Sequence, residues 1–448
     1  MFCSICSNLA TQNEKYYMED FIHLHVHTNY SILDGQSKIP KLVDKAIKDG
    51  MKGMAITDHG VMFGIKELSD YCAGVNKKRK AEGLEPFKPI LGCEMYVAHH
   101  RLEDKVKENG DNSGYHLIVL AKNYNGYKNL IKLVSRSWVD GYYYRPRTDK
   151  FELEKYHEDL IVCSACIAGE VPSKVLHGDL KGAREACEWY HRVFGDDFYL
   201  ELQRHEVKDP SLLANRGAFP LQQKANKVLM DFAKEYGIKL VCTNDVHFED
   251  KETAEAHDHL LCLATGRDLD DPNRMRYSKQ EWFKTKAEMN EIFSDVPEAM
   301  VNTLEVLDKV EIYSIEHGPI MPFFPIPEDF GTEEEWRHKI TEEQLYKEFT
   351  SDENGNNQLS EEEGQKVIAR LGGYDKIYRI KFESDYLDKL AYDGAKLLYG
   401  DPLPDNVVEH INFELHVMKT MGFPGYFLIV QDFIKAARTE LGVMVGPG

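Results

Sequence analysis

Phe21-Ile-His-Leu-His-Val-His-Thr-Asn-Tyr-Ser-Ile-Leu-Asp-Gly35 is the stretch on which the reading of this chain turns. His23, His25 and His27 alternate with Ile22, Leu24 and Val26. A period of two in a strand places the three imidazoles on one face. Burying them together is costly unless each ring nitrogen finds a partner. Metal coordination supplies such a partner, and Asp34 follows on the next loop as a further donor.

Working outward from Phe21, short apolar runs alternate with amphipathic stretches. The strand candidates are Ile22–Val26, Gly53–Ile56, Ile90–Val97, Leu117–Leu120, Leu160–Cys163, Phe198–Leu202 and Lys239–Cys242. Helical spacing of three and four marks Ile39–Lys48, Gly126–Trp138, Ala183–Phe194 and Leu221–Tyr236. This α/β rhythm predicts a mainly parallel sheet with helices outside, closed or nearly closed as a distorted βα barrel of about seven strands. An open doubly wound sheet is the alternative.

Further metal-type donors fall at strand ends. His59 closes Ile56-Thr-Asp-His-Gly60, and Glu94 lies within Leu91-Gly-Cys-Glu-Met-Tyr-Val97. His116 precedes Leu117–Leu120, and Cys166 follows Leu160–Cys163. Asp245 and His247 come after Lys239–Cys242. In a parallel barrel, groups at the carboxy ends of strands converge on one mouth. Imidazole, carboxylate and thiolate together suit zinc, manganese or iron, and the number of donors implies two or three ions. Singly, each residue has a plainer reading: Asp58 as a helix cap, Cys163 and Cys166 as a redox pair, a lone His as core. Jointly, those readings require several coincidences at strand ends. A serine hydrolase is disfavoured because no Gly-x-Ser-x-Gly elbow is present.

The chain has 448 residues, 42% hydrophobic and 29% charged, which suits two or three globular domains. No apolar run reaches the ~18 residues of a membrane span. Nine scattered cysteines argue against a disulfide framework and for a reducing cytoplasm. The formal net charge of −20 makes local charge decisive for any nucleic-acid surface. Residues Lys122 to Lys150 are locally basic and aromatic-rich. Lys128, Lys132, Arg136, Tyr143, Arg145 and Arg147 are the candidate strand-tracking residues; an amphipathic helix followed by a tyrosine-rich turn is the alternative.

The histidine-rich opening resembles the polymerase-and-histidinol-phosphatase (PHP) family, and within it the branch at the front of bacterial replicative DNA polymerase III alpha subunits. Gly141-Tyr-Tyr-Tyr-Arg-Pro-Arg147, Gly422-Phe-Pro-Gly-Tyr-Phe-Leu-Ile-Val430 and Val445-Gly-Pro-Gly448 resemble that branch too. The resemblance implies that His25, His27, Asp34, His59, Glu94, His116, Cys166, Asp245 and His247 are the metal ligands, with Asp34, His25 and His27 central to catalysis. His23 stands where other branches carry Asp, and is expected to support the site. Intact members are similar to 3′-5′ exonucleases that proofread; degenerate ones dock a separate proofreading subunit. A stand-alone metabolite phosphatase is disfavoured by the segments after residue 265.

The same resemblance implies a DNA primer-template substrate, sliding-clamp and clamp-loader partners, and magnesium for the whole polymerase. The expected divisions are an extension over 1–20, with Met18 as the natural start, and the PHP domain over 21–264. A linker and the start of the palm occupy 265–330, a polar helical insertion 331–400, and a partial α+β palm 401–448. The chain is expected to stop before the polymerase's catalytic aspartates. Cys3 and Cys6, without a second pair, are not expected to bind zinc. Asp352 to Glu363 resembles an EF-hand loop, with Asn357 where Gly is usual, and is read as a polar insertion with calcium as the alternative.

Overall fold

The computed structural model describes residues 19–318, 320, 322–353, 355–357 and 359–446. The Cys3/Cys6 pair, Met18 and most of the final Gly-Pro-Gly turn lie outside these residues. The chain divides into two compact units, one running to Ile315 and the other from Glu316 onward.

In chain order the first unit contains α1 (Ile39–Lys48), β1 (Gly53–Ile56), α2 (Ile65–Ala81), β2 (Lys88–Val97), β3 (Tyr115–Ala121), α3 (Tyr124–Val139), β4 (Tyr142–Tyr143), β5 (Arg145–Thr148), α4 (Lys150–Lys155), β6 (Leu160–Cys163), α5 (Glu170–Leu176), α6 (Leu180–Phe194), β7 (Phe198–Leu202), α7 (Ala218–Tyr236), β8 (Lys239–Cys242), α8 (Ala254–Thr265), α9 (Lys286–Ile292) and α10 (Pro297–Lys309). The helices form where apolar residues recur at helical spacing. In α1, a Pro opens the helix and Ile39, Leu42, Val43 and Ala46 make the buried stripe. In α3, the Asn123 side chain caps the first turn, and Leu130, Leu133 and Val134 face the sheet.

The sheet runs β4-β5-β2-β3-β6-β7-β8, with β1 beside β2. The pairs β1–β2, β2–β5, β6–β7 and β7–β8 are parallel, whereas β3 is antiparallel to both β2 and β6. The sheet is therefore mixed. The expected first strand, Ile22–Val26, is extended but not a regular ladder. It bridges the sheet's two ends: the amides of Ala55 and Thr57 donate to the carbonyls of His23 and Val26, and His27 N donates to Val246 O. Side-chain hydroxyls interrupt it, Thr303 accepting from Ile22 N and Thr57 from Val26 N. With this segment as a stave, the sheet curls into a distorted barrel. Its core, including Leu24, Ile118, Leu120, Val162 and Val241, is fully buried.

Residues 265–315 are not a free linker. Asn302 of α10 donates to Leu240 O, and the Met300 and Leu307 side chains join the barrel core. The first unit thus continues past the expected boundary because its outer layer is completed from there.

The second unit contains α11 (Glu333–Lys339), α12 (Glu342–Thr350), α13 (Glu361–Leu371), α14 (Tyr374–Tyr399), α15 (Asp405–Thr420) and α16 (Pro424–Thr439). Its described residues form helices and no named strand. One small core joins Leu345, Phe349, Ile368, Leu371 and Ile377; another joins Phe324, Leu387, Leu415 and Leu428. The polar stretch therefore has an apolar interior. Within the EF-hand-like segment, Glu363 accepts from Ser360 in a capping box that starts α13, which is a structural use of that carboxylate. No described helix is long and apolar enough to cross a membrane.

Candidate metal centre

The mouth of the barrel gathers residues from five other segments around one carboxylate. Glu94 is buried in β2, and each of its oxygens faces two imidazoles. Oε1 lies 2.8 Å from His116 Nδ1 and 3.4 Å from His25 Nε2. Oε2 lies 2.6 Å from His59 Nδ1 and 3.4 Å from His27 Nε2. Three donor groups surround it: His25, His27 and Asp245; His27, His59 and His247; and Glu94, His116 and Cys166.

Spacing tests whether a cation fits. His25 Nε2, His27 Nε2 and Asp245 Oδ1 lie 3.2, 3.1 and 3.3 Å apart as pairs. Ligands about 2.1 Å from a common ion stand about 3.0 Å apart in an octahedron and about 3.4 Å apart in a tetrahedron. The triangle has the dimensions of one face of such a shell. The two imidazole nitrogens hydrogen-bond each other, but Asp245 Oδ1, and beside the triangle Glu94 Oε2 and His59 Nδ1, are buried without a hydrogen bond of good geometry. Buried polar atoms so close to other donors, yet without an aligned hydrogen bond, suit convergence on a shared cation. This donor set fits divalent cations.

The local fold aims each of these candidate donors. His25 Nδ1 lies 2.7 Å from Glu201 Oε1, which itself accepts from Thr243 Oγ1 and Gln203 Nε2. Nε2 is thereby turned into the site. His27 Nδ1 is held by Ser31 Oγ at 3.0 Å, and that hydroxyl donates to Asp58 at 2.7 Å. Asp58 also accepts from Thr28 N, so it organises the loop after the histidines and is not among the converging ligands. Asp34 meets His59 Nε2 at 2.9 Å, and its carbonyl oxygen contacts His257 Nε2. Because β3 is antiparallel, His116 at its beginning reaches the same mouth as the carboxy ends of the parallel strands.

Backbone strain concentrates here. Leu33, Ala165 and Asp245 have φ of 63°, 59° and 47°, in the left-handed region that side chains usually avoid. Leu33 precedes Asp34 and Ala165 precedes Cys166, so each sharp turn presents one of these candidate donors. His23 lies elsewhere. Its Nε2 is 2.8 Å from Lys284 O among Phe21 and Phe283, and burial pushes its pKa down to about 3. It is a neutral core histidine.

Burial, the largest influence on Glu94 and Asp245, pushes their pKa values up, but neighbouring imidazoles outweigh it and hold both well below the usual range. Burial opposes protonation of His59 too, yet Glu94 and Asp34 carry it to about 10. His27 goes down to about 3 through burial and the neighbouring His59 and His247. Burial, with Asp245 and Glu94, pushes the Cys166 thiol well up. The anionic donors thus call for positive charge at the mouth, and a metal cation can supply it in place of protons.

Sequence reasoning missed Glu201 and Tyr277. The Tyr277 hydroxyl lies 3.1 and 3.2 Å from the two Asp34 oxygens and 3.3 Å from His247 Nε2. It comes from the stretch expected to be linker, and it lines a cavity of about 260 Å³ together with His59, Glu94, His116, Cys166 and Asp245. The alternation Leu200-Glu201-Leu202-Gln203, polar residues within a buried strand, was the available signal for Glu201.

The basic stretch divides. Lys128, Lys132 and Arg145 are exposed. Arg136 pairs with Glu152 at 2.6 Å, and Tyr143 is half-buried. Arg147 is fully buried and donates to the carbonyls of Gly141, Leu102 and Asp104. The expectation that Arg147 touches nucleic acid is therefore corrected: its guanidinium fastens the β4–β5 hairpin.

The PHP domain family matches residues 23–205, and the bacterial DNA polymerase III alpha NTPase domain family matches residues 385–448. The chain therefore carries a PHP-domain match and a DNA polymerase III alpha match, and along nearly all of its length it is similar to DNA polymerase III alpha subunits. DNA polymerase III subunit alpha of Borreliella burgdorferi is 37% identical over 430 residues, covering 96% of this chain and 31% of that protein. That of Thermus aquaticus is 34% identical, covering 96% and 34%. The chain thus spans about a third of the length of these curated relatives. A solved amidohydrolase from Chromobacterium violaceum is similar over 50% of this chain and 87% of its own, at 12% identity and a TM-score of 0.30, too loose a likeness to add to the fold. The PHP match ends at residue 205, so Tyr277, Asp245 and His247 join the mouth from beyond it.

Proposed function

We propose that the first unit is a metal-dependent phosphodiesterase acting at the 3′ end of a DNA strand, at the front of a replicative DNA polymerase. The observation that carries it is the convergence of buried donors around Glu94, where Glu94 Oε2, His59 Nδ1 and Asp245 Oδ1 have no well-aligned hydrogen bond. His25, His27, Asp34, His59, Glu94, His116, Cys166, Asp245 and His247 would hold two or three divalent cations, with zinc, manganese and iron all suited to the mixed set. Bound cations would lower the pKa of coordinated water and neutralise charge on the phosphate under attack.

The chain's own residues do the positioning. Glu201 and Ser31 fix the two opening imidazoles, and Tyr277 steadies Asp34 and His247. The cavity beside them admits a strand end from solvent. Polymerisation, the primer-template, the sliding clamp and the clamp loader belong to the proposal for the whole protein, by analogy with its relatives. So do its cytoplasmic setting and the assignment of residues from 401 onward to the palm.

The test is hydrolysis of a 3′-mismatched primer with zinc, manganese or iron added. Wild type should shorten the primer from its 3′ end. Asp34→Asn should reduce the rate by roughly 100-fold or more, beyond the loss expected for a residue that only supports a ligand. Primer stable with every metal, in a protein shown to be loaded, would leave the domain as a non-catalytic docking scaffold.

A further inference from the structure

Beside the metal mouth lies an aromatic surface that the ligand set does not use. The rings of Trp138 and Tyr142 stack with centroids 5.4 Å apart and planes only 14° from parallel. Both remain about half exposed, at 44% and 48%. The pair is fastened to the metal centre. Trp138 Nε1 donates to Gly60 O at 2.8 Å, Gly60 follows His59 directly, and Gly60 N donates to Glu94 O. A Cβ at Gly60 would come within 2.6 Å of Pro146 Cγ, so the hairpin holding Tyr142 sits tightly against that loop.

The rim continues the pattern. Tyr144, alone at the tip between β4 and β5, is exposed with φ of 61°. Gly or Asn would hold that turn at less strain, so folding alone does not account for a tyrosine there. Exposed Arg145 lies over the Tyr96 ring, and Tyr96 packs edge-on to His116. Phe63, four residues past His59, is 61% exposed.

We propose that Trp138 and Tyr142 form a stacking platform for an unpaired base at or near the 3′ end of a DNA strand, with Arg145 facing its backbone. The proposal rests on the phosphodiesterase reading of the adjoining centre. A strand end must be frayed for its last phosphodiester to enter a narrow metal mouth, and stacking compensates the unpaired base for its lost neighbour. An exposed aromatic pair extends to a third ring without regard to base identity, while an exposed guanidinium supplies charge complementary to phosphate. A peptide partner would leave the proximity to the metal ligands unused.

The experiment is binding, by fluorescence anisotropy, of single-stranded oligonucleotides blocked against hydrolysis by 3′ phosphorothioate linkages. One carries normal bases at its 3′ end and the other abasic residues there. Wild type should prefer the normal end by roughly 10- to 100-fold. Trp138→Ala and Tyr142→Ala should lose most of that preference, and Trp138→Phe should retain part of it. A preference that persists in both alanine variants, or its absence from wild type, would overturn the platform. Circular dichroism of each variant separates misfolding from lost stacking. Because nothing is cleaved, a failed hydrolysis assay would sink the phosphodiesterase reading without deciding this result.

Discussion

At the residue scale, the site is a set of imidazoles and carboxylates whose neighbours fix their direction. The candidate donors themselves were legible because each stands beside an apolar strand candidate. Their supports were not. Tyr277 comes from a segment with no strand rhythm, and Glu201 matters only because His25 is 2.7 Å away. His23 shows the opposite failure: it shares the alternation of His25 and His27, yet the irregular start of that segment turns it to Lys284 O. Away from the mouth, Glu170 accepts from Lys150 and Lys174, each at 2.8 Å. Burial raises its pKa, but the two ammonium groups outweigh this and hold it below the ordinary 4.5. A carboxyl depressed in the folded chain stabilises above the unfolded value and loses that contribution as pH falls below about 4.5. Glu170→Gln should therefore cost more stability at pH 7 than at pH 4 in urea denaturation; equal costs would contradict the assignment.

At the element scale, the alternating apolar and amphipathic runs correctly indicated strands and helices, but strand direction was not written in them. A parallel β3 would carry His116 to the far mouth; only its antiparallel pairing with β2 and β6 brings it to Glu94. The short strands β4 and β5 were equally hidden, since strands of two and four residues show too little of a period. Arg147 illustrates the cost of reading charge without structure. Arg147→Ala would strand two buried and one part-buried carbonyl contacts and should destabilise the first unit by about 2–5 kcal/mol in urea melts. A folded, equally stable variant with weakened DNA binding would restore the nucleic-acid reading.

At the scale of the whole molecule, the boundary near Ile315 was not legible, because α9 and α10 resemble any amphipathic helices until their partners are known. The second unit's helical character was partly visible in its apolar tail, now α16. If the cations hold the barrel mouth together, removing them should lower the melting temperature of the first unit by roughly 5–10 °C while leaving the second unit's transition in place. Calorimetry with and without chelator reads this directly, and an unshifted first transition would argue that the donors are satisfied without metal.

If these donors form a metal cluster, the purified protein holds a fixed number of ions. Inductively coupled plasma mass spectrometry of the purified protein, after loading and exhaustive dialysis, counts the ions per chain. Two or three tightly held divalent ions are expected, with the count falling in Asp34→Asn. Wild-type protein that retains none, while folded, would contradict it.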